Sequence, residues 1–134
     1  MRLRTVLRIA AVTLVIVAGS RPALAQDRYD FKTSFDFVAR GQSYTAGQYT
    51  LVANATRDVL SLEPKSSKES MVMLPVETRI SERKSLTEAE VVFDKLDGKL
   101  YLSELQVPGQ DGYLVLVTKA KHTHETVKGG IAKK

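Results

Sequence analysis

The amino-acid sequence predicts an all-β protein, a single antiparallel β-sandwich or small barrel of about seven short strands. Apolar and polar residues alternate with a period of two, which is typical of strands with one buried face and one solvated face. Turn-forming residues interrupt this pattern at intervals of roughly a dozen residues. The chain has no cysteine, so an ordinary packed core must stabilise it without disulfides.

Residues 1–25 predict a signal peptide that is removed on export. The start, MRLRTVLR, is basic, and the apolar stretch 9–19 is shorter than the roughly 20 residues that a membrane-spanning helix needs. Ala23-Leu24-Ala25 places small residues at the exit, so cleavage is expected before Gln26. We therefore expect a periplasmic or extracellular protein without a permanent membrane anchor.

Removing the signal peptide changes the charge of the chain. Four of the 20 Lys and Arg residues and none of the 15 acids lie in residues 1–25, so the remaining 109 of 134 residues carry 16 basic and 15 acidic groups, a net charge of +1. A nearly neutral domain does not provide the basic surface that nucleic-acid binding requires. A chain of this length fits one domain, which we expect at residues 26–117.

Residues 29–37 predict the first strand. Aromatic residues and a threonine occupy the odd positions, and charged or polar residues occupy the even ones, so an aromatic face is expected to meet the core. Arg40-Gly41-Gln42 predicts a turn, and Ala46-Gly47 precedes a further strand at 49–53.

Strands at 59–63 and 71–74 are predicted next, on either side of an exposed turn that begins at Pro64. Met71-Val72-Met73-Leu74 is apolar at every position, so both of its faces are expected to be covered and both methionines to fill the core. Pro75 lacks a backbone donor and predicts a bulge or a sheet edge.

Residues 85–96 fit two predictions. Ser85 and Glu88 match a helix capping box, and apolar residues follow at near-helical spacing. We favour a strand, because β-branched and aromatic residues at 90–93 lead into Asp97-Gly98, a strong signal for a two-residue hairpin turn.

Two further strands are predicted at 100–107 and 113–117, and the apolar pattern stops after them. Residues 118–134 contain five lysines and one acid, a net charge of +4, whereas residues 26–117 contain 11 basic and 14 acidic residues, a net charge of −3. This contrast predicts a flexible basic C-terminal tail that could attach the protein to anionic envelope surfaces. Deleting residues 119–134 is then expected to leave the melting temperature almost unchanged.

Several segments of the chain resemble a group of small exported β-domain proteins that is abundant in soil acidobacteria. These segments are Asp27-Arg28-Tyr29-Asp30-Phe31, Phe35-Asp36-Phe37, Ala46-Gly47-Gln48-Tyr49, Val92-Phe93 and Asp97-Gly98-Lys99-Leu100-Tyr101-Leu102-Ser103-Glu104-Leu105. The resemblance covers most of the chain after residue 25. Its motifs are strand aromatics and turn glycines, so it implies a β fold and an exported location and implies no activity.

The chain has only two histidines, His122 and His124, with Glu125 beside them. Imidazole and carboxylate groups bind transition metals. These three residues lie in the predicted tail, without the further ligands and supporting contacts of a metal site. We therefore predict no metal-binding residues.

Catalysis is not expected either. Cysteine is absent and no histidine lies within 26–117, which leaves the predicted domain without the base of a nucleophilic triad. Asp94, Glu104 and Asp111 lie near predicted strand ends, where solvated surface acids are more common than paired catalytic carboxylates. We predict no catalytic and no cofactor-binding residues.

The predicted function is that of a non-enzymatic exported β domain, a binding or structural protein of the cell envelope. An edge strand or a set of loops would bind an envelope component or another protein. The alternative is a small β-barrel carrier of an apolar ligand, which an enclosed pocket of roughly several hundred Å³ would favour. Six aromatic residues would line that pocket, although the same residues suffice to fill a solid core: Phe31, Phe35, Phe37, Tyr49, Phe93 and Tyr101.

Overall fold

The computed structural model describes residues 27–131. The predicted signal peptide and residues 132–134 of the predicted tail lie outside the described residues. The described part is all-β and contains no helix, as the sequence predicts for the fold class. Residues 27–131 accordingly include no helix that is long and apolar enough to cross a membrane.

Eleven strands make up the described part of the chain. They are β1 Asp27–Lys32, β2 Phe37–Ala39, β3 Gln42–Tyr44, β4 Gln48–Ala53, β5 Val59–Pro64, β6 Val72–Pro75, β7 Thr78–Ile80, β8 Ala89–Leu96, β9 Lys99–Gln106, β10 Gly112–Leu114 and β11 Thr123–Ile131. The predicted strands at 49–53, 59–63 and 71–74 correspond to β4, β5 and β6. The short strands β3 and β7 were not predicted, because three residues are too few to show a period.

The strands form one curled, mixed sheet, a half-barrel, in the order β3-β2-β9-β8-β11-β1-β4-β5-β6, and β10 joins β9 to β7. Only the pairing of β2 with β9 is parallel among the described strands. Of the predicted antiparallel sandwich or small barrel of about seven strands, the all-β class is confirmed, whereas the sheet is mixed, has more strands and forms a half-barrel and not a sandwich. A single strongly twisted sheet can enclose the core with its own inner face.

Side chains connect the two ends of the curled sheet. Nη1 of Arg40, after β2, donates a hydrogen bond to the Met73 carbonyl of β6 at 3.1 Å, and the Tyr44 hydroxyl donates to the Ser70 carbonyl at 2.9 Å. These contacts hold β3 near β6 without a strand ladder between them. The sheet is therefore curled but not closed at this position.

The predicted strand 29–37 is divided between β1 and β2. The chain leaves the sheet at Thr33, whose N–H donates to the Gly47 carbonyl at 2.9 Å, and the Asp36 carboxylate accepts the Ala46 N–H at 2.9 Å. These bonds to the β3–β4 turn replace ladder bonds in this segment. The bend brings Phe35 edge-on against Phe93, with ring centroids 5.1 Å apart.

The β8–β9 hairpin confirms the strand prediction for residues 90–93. Asp97 and Gly98 have φ angles of 53° and 78°, the positive values that a type I′ two-residue turn requires at both positions. The capping-box alternative at Ser85 is not adopted, and β8 begins at Ala89.

The prediction that both faces of 71–74 are covered is wrong. Val72 and Leu74 are buried, whereas Met71 is 53% exposed and Met73 is 50% exposed. The strand pairs with β5 alone in the described part of the sheet, so only its inward-facing residues meet the core. The two methionines are not core residues.

Aromatic rings from four strands fill the centre of the curled sheet. Phe37 lies 5.1 Å from Tyr49 and 5.1 Å from Phe93, measured between ring centroids, and Phe31 stacks on Tyr49 at 5.7 Å. Edge-to-face and offset-stacked pairs at these distances are favourable in addition to the burial of their apolar area.

The C-terminal segment is a strand of the sheet, which corrects the prediction of a flexible tail. Residues 123–129 of β11 pair with β8, and residues 129–131 pair with β1. The backbone of β11 forms hydrogen bonds with both neighbouring strands, and these bonds stabilise its position whatever its side chains are. Among the described side chains of β11, Val127 packs against the core cluster.

Two glycines of β11 provide a matched test of this placement. A Cβ atom at Gly129 would lie 2.9 Å from the Asp30 carbonyl oxygen, whereas one at Gly130 would have no heavy atom within 4 Å. Gly129→Ala is therefore expected to lower the free energy of unfolding by about 1–3 kcal/mol, and Gly130→Ala to change it by less than about 0.5 kcal/mol. Urea unfolding of both variants measures the difference. Equal values would mean that β11 does not lie against β1.

Candidate metal centre

The site begins with a buried carboxylate on β8. Phe93 points into the core, so the next residue, Asp94, lies on the outer face of the sheet, yet Asp94 is only 2% exposed. Its Oδ2 accepts a hydrogen bond from the Thr118 hydroxyl at 2.7 Å, and its Oδ1 is buried without any hydrogen-bond partner. A buried, unpaired carboxylate oxygen is costly and points to a missing ligand or ion.

Asp94 is covered by residues 115–122, which we call the crossing segment because they pass from β10 across the outer face to β11. Its start is fixed to β9, where the Val115 N–H donates to the Ser103 carbonyl at 2.8 Å and the Ser103 hydroxyl donates to the Leu116 carbonyl at 3.2 Å. These bonds place Thr118 over Asp94. Thr118 then fixes the rotation of the carboxylate, so that Oδ1 is the oxygen left free.

His124 reaches Asp94 across the β8–β11 ladder. The two residues are direct partners in the register, and side chains of directly paired residues lie on the same face of a sheet. Nδ1 of His124 lies 3.0 Å from Asp94 Oδ1, although the contact lacks hydrogen-bond geometry. A cation bound by both atoms would stabilise this close approach of a ring nitrogen to a carboxylate oxygen.

His122, the last residue of the crossing segment, completes the group. Its Nδ1 lies 2.7 Å from the Ala120 carbonyl oxygen. A carbonyl can only accept a hydrogen bond, so Nδ1 carries the proton and Nε2 of the neutral ring carries the lone pair. Nε2 lies 3.7 Å from Asp94 Oδ1. A backbone carbonyl that fixes the tautomer in this way is a common support for metal-binding histidines.

The two distances from Asp94 Oδ1 to the histidine nitrogens suit a shared metal ion. Within residues 27–131, Asp94, His122 and His124 each offer one ligand atom, and these atoms lie within 4.8 Å of one another. In a tetrahedral site with bonds of about 2.0–2.1 Å, neighbouring donors are about 3.3 Å apart. The distances from Asp94 Oδ1 to His124 Nδ1, 3.0 Å, and to His122 Nε2, 3.7 Å, lie on either side of this value. The exposed fractions of the side chains are 2% for Asp94, 19% for His122 and 50% for His124. The group is therefore open to solvent on the His124 side.

The structure brings together only some of the residues that the sequence singled out. His122 and His124 meet, but Glu125 pairs with Phe93 and belongs to the other face of β11. Asp94 takes its place as the carboxylate. Sequence reasoning missed this partner, because the β8–β11 register joins residues 30 positions apart; the only local signal was the same-face spacing of the two histidines.

The other acids do not join this group. Glu104 accepts a hydrogen bond from Gln106 at 2.8 Å, and Asp111 accepts the backbone N–H of Glu82 at 3.1 Å. Each carboxylate thus has a separate local partner.

The aromatic residues proposed to line a ligand pocket mostly contact one another. Phe31, Phe37, Tyr49 and Phe93 are buried in the core, and Tyr101 lies on the outer face as the ladder partner of Asp94. Tyr101 lines an open groove of about 460 Å³ near the ends of the sheet, together with Leu74 and Val115. The apolar-carrier alternative stays a prediction.

The chain matches no protein-family model, no curated protein and no solved structure.

Proposed function

We propose that this protein is an exported, non-enzymatic binding domain of the cell envelope, and that it binds a divalent first-row transition-metal ion through Asp94, His122 and His124. The observation that carries the proposal is the buried Oδ1 atom of Asp94, which has no hydrogen-bond partner and faces the nitrogen atoms of two histidines. The proposal departs from the expectation that no residue binds a metal.

The donor set favours a transition metal over calcium or magnesium. Two imidazole nitrogens and one carboxylate oxygen suit Zn²⁺, Fe²⁺, Ni²⁺ or Cu²⁺, whereas Ca²⁺ and Mg²⁺ require mostly oxygen ligands. One carboxylate and two neutral imidazoles give the ligands a net charge of −1, which an ion of charge +2 more than neutralises. Burial of Asp94 strengthens this attraction, because water screens it little.

The competing interpretation is an ion pair between Asp94 and a protonated histidine. Such a pair needs an N–H directed at the carboxylate oxygen. The 3.0 Å contact of His124 with Asp94 lacks that geometry, and Nε2 of His122, the nitrogen that faces Asp94, lies 3.7 Å from Oδ1, which is beyond hydrogen-bond distance. A metal ion accounts for the unpaired oxygen and for the approach of both histidines to it.

Zn²⁺ is expected to bind the purified protein with a stoichiometry of one, and Asp94→Asn is expected to weaken binding about tenfold or more, because it replaces a charged ligand by a neutral amide. Glu125→Gln is the matched control: it removes the same charge from the adjacent strand, on the opposite face, and is expected to change the affinity less than about twofold. Isothermal titration calorimetry on protein without a histidine tag measures these affinities.

Two further measurements test the histidine ligands and the metal selectivity of the site. His122→Ala and His124→Ala are each expected to weaken Zn²⁺ binding, and Ca²⁺ is expected to produce no heat at the same concentration. If Zn²⁺ does not bind, or if Glu125→Gln weakens binding as much as Asp94→Asn, the proposed site is wrong and the cluster is an ion pair.

A further inference from the structure

The proposed ligand group leaves the metal ion incompletely coordinated. Within the described residues it provides three donor atoms, and Asp94 can offer only Oδ1 because Thr118 holds Oδ2 at 2.7 Å. First-row divalent ions take about four to six ligands. One position at least must therefore be filled from outside the group, on the solvent-exposed side at His124.

The surroundings of this open side are basic. Lys119 and Lys121 lie in the crossing segment just before His122, and both are exposed. The ligand group and the ion together carry a net charge of +1. A solvent-exposed ion within a group of ammonium side chains attracts anions and raises their local concentration.

Two acids on the same face of the sheet lie along β8 and β9 from the site: Glu104 accepts a hydrogen bond from Gln106 at 2.8 Å, and Glu90 has basic partners. Glu90 accepts a hydrogen bond from Arg83 at 2.8 Å and lies 4.0 Å from the Lys128 ammonium group. Glu125, although adjacent to His124 in sequence, belongs to the opposite face. The open side of the site thus has a local excess of positive charge.

Resting on the proposed function, we infer that the open coordination position takes a phosphate-type oxyanion, which binds the ion through one oxygen and the lysines through others. Several oxygens are needed to contact the ion and an ammonium group together, so a phosphate group fits this arrangement and a halide does not. The phosphate can belong to inorganic phosphate or to the headgroup of an anionic lipid.

The test uses the protein loaded with Co²⁺, whose visible absorption reports its coordination. Inorganic phosphate is expected to change this spectrum in a saturable way, and chloride at equal ionic strength is not. Vesicles of phosphatidylglycerol form a second arm: a spectral change with vesicles at limiting lipid identifies the headgroup as the source, and a change with phosphate alone identifies the free anion.

Lysine variants distinguish anion binding from metal binding. The double variant Lys119→Gln/Lys121→Gln is expected to weaken phosphate binding about fivefold and to leave Co²⁺ loading unchanged, whereas the control Lys65→Gln/Lys68→Gln, which removes the same charge from the β5–β6 turn, changes neither. Failure of Co²⁺ to bind would overturn the proposed function. Normal Co²⁺ loading with a spectrum that neither phosphate nor vesicles change would overturn this inference alone.

Discussion

A chain that ends at Lys121 is expected to be unfolded. Such a chain lacks β11, in which seven residues pair with β8 and three with β1. Its loss leaves the facing backbone groups of both neighbours unpaired and separates the two halves of the core. Domains of this size are stable by about 5–15 kcal/mol, and the loss of a strand from within the sheet removes more than that.

Circular dichroism and urea unfolding measure this result. Replacing Lys119, Lys121 and Lys128 by glutamine is the matched control, since it lowers the net charge of residues 118–134 from +4 to +1 and keeps the strand. The control is expected to fold with a melting temperature close to that of the unmodified chain, because exposed charges contribute little to stability. A truncated chain that unfolds cooperatively near the normal temperature would support the tail that the sequence predicts.

The sequence predicts those elements whose signals are local. The β8–β9 hairpin follows from Asp97-Gly98, because a type I′ turn requires positive φ at both positions and few residue pairs tolerate it. The strands β4 and β5 follow from short apolar runs bounded by turn residues. These signals span a few residues and do not depend on tertiary contacts.

The strand β11 could not be predicted in this way. The side of β11 that carries Val127 also carries Thr123, Glu125 and Gly129, which give little apolar alternation, and Thr123 and Glu125 are exposed. Lysines dominate the composition around the strand. The strand lies in the sheet because β1 and β8, which are far away in sequence, each offer it a row of backbone hydrogen-bonding groups. A basic segment after an acidic domain indicates a solvated tail only when no neighbouring strand can pair with that segment.

The same limitation applies to the candidate site. The two histidines are visible in the sequence, and the neighbouring carboxylate of Glu125 suggested a local ligand. Side chains alternate along a strand, so an immediate neighbour of His124 belongs to the opposite face. The carboxylate that does meet the histidines, Asp94, is selected by the register of β11 on β8, which the sequence does not state.

Between pH 10 and pH 12 the protein is expected to lose much of its stability. Burial raises the pKa of Tyr29 to about 12, with a further contribution from the charge of Asp27. Burial likewise raises the pKa of Tyr49 to about 12, and its hydrogen bond to the Glu69 carboxylate at 2.9 Å adds to the shift. Both hydroxyls therefore stay protonated in the folded state at a pH where an unfolded chain ionises them.

The direction of the effect follows from proton binding. Below pH 10 both tyrosines are neutral in the folded and in the unfolded chain, so the stability is fully present. As the pH rises from 10 to 12, the unfolded chain releases these protons first and is stabilised relative to the folded one. A tyrosine pKa raised from 10.0 to about 12 corresponds to about 2.7 kcal/mol for each residue at most. The two contributions together are a large part of the stability of one domain.

Urea unfolding at closely spaced pH values from 9 to 12 measures this loss, and absorbance at 295 nm reports tyrosine ionisation in the same samples. Tyr49→Phe is expected to remove about half of the pH dependence. Glu69→Gln keeps an acceptor for the hydroxyl and removes its charge, so it is expected to retain most of the dependence, because burial is the larger cause of the shift. If Tyr49→Phe has the same pH profile as the unmodified chain, Tyr49 ionises in the folded state as readily as in the unfolded chain, and the aromatic core is more accessible to water than its packing indicates.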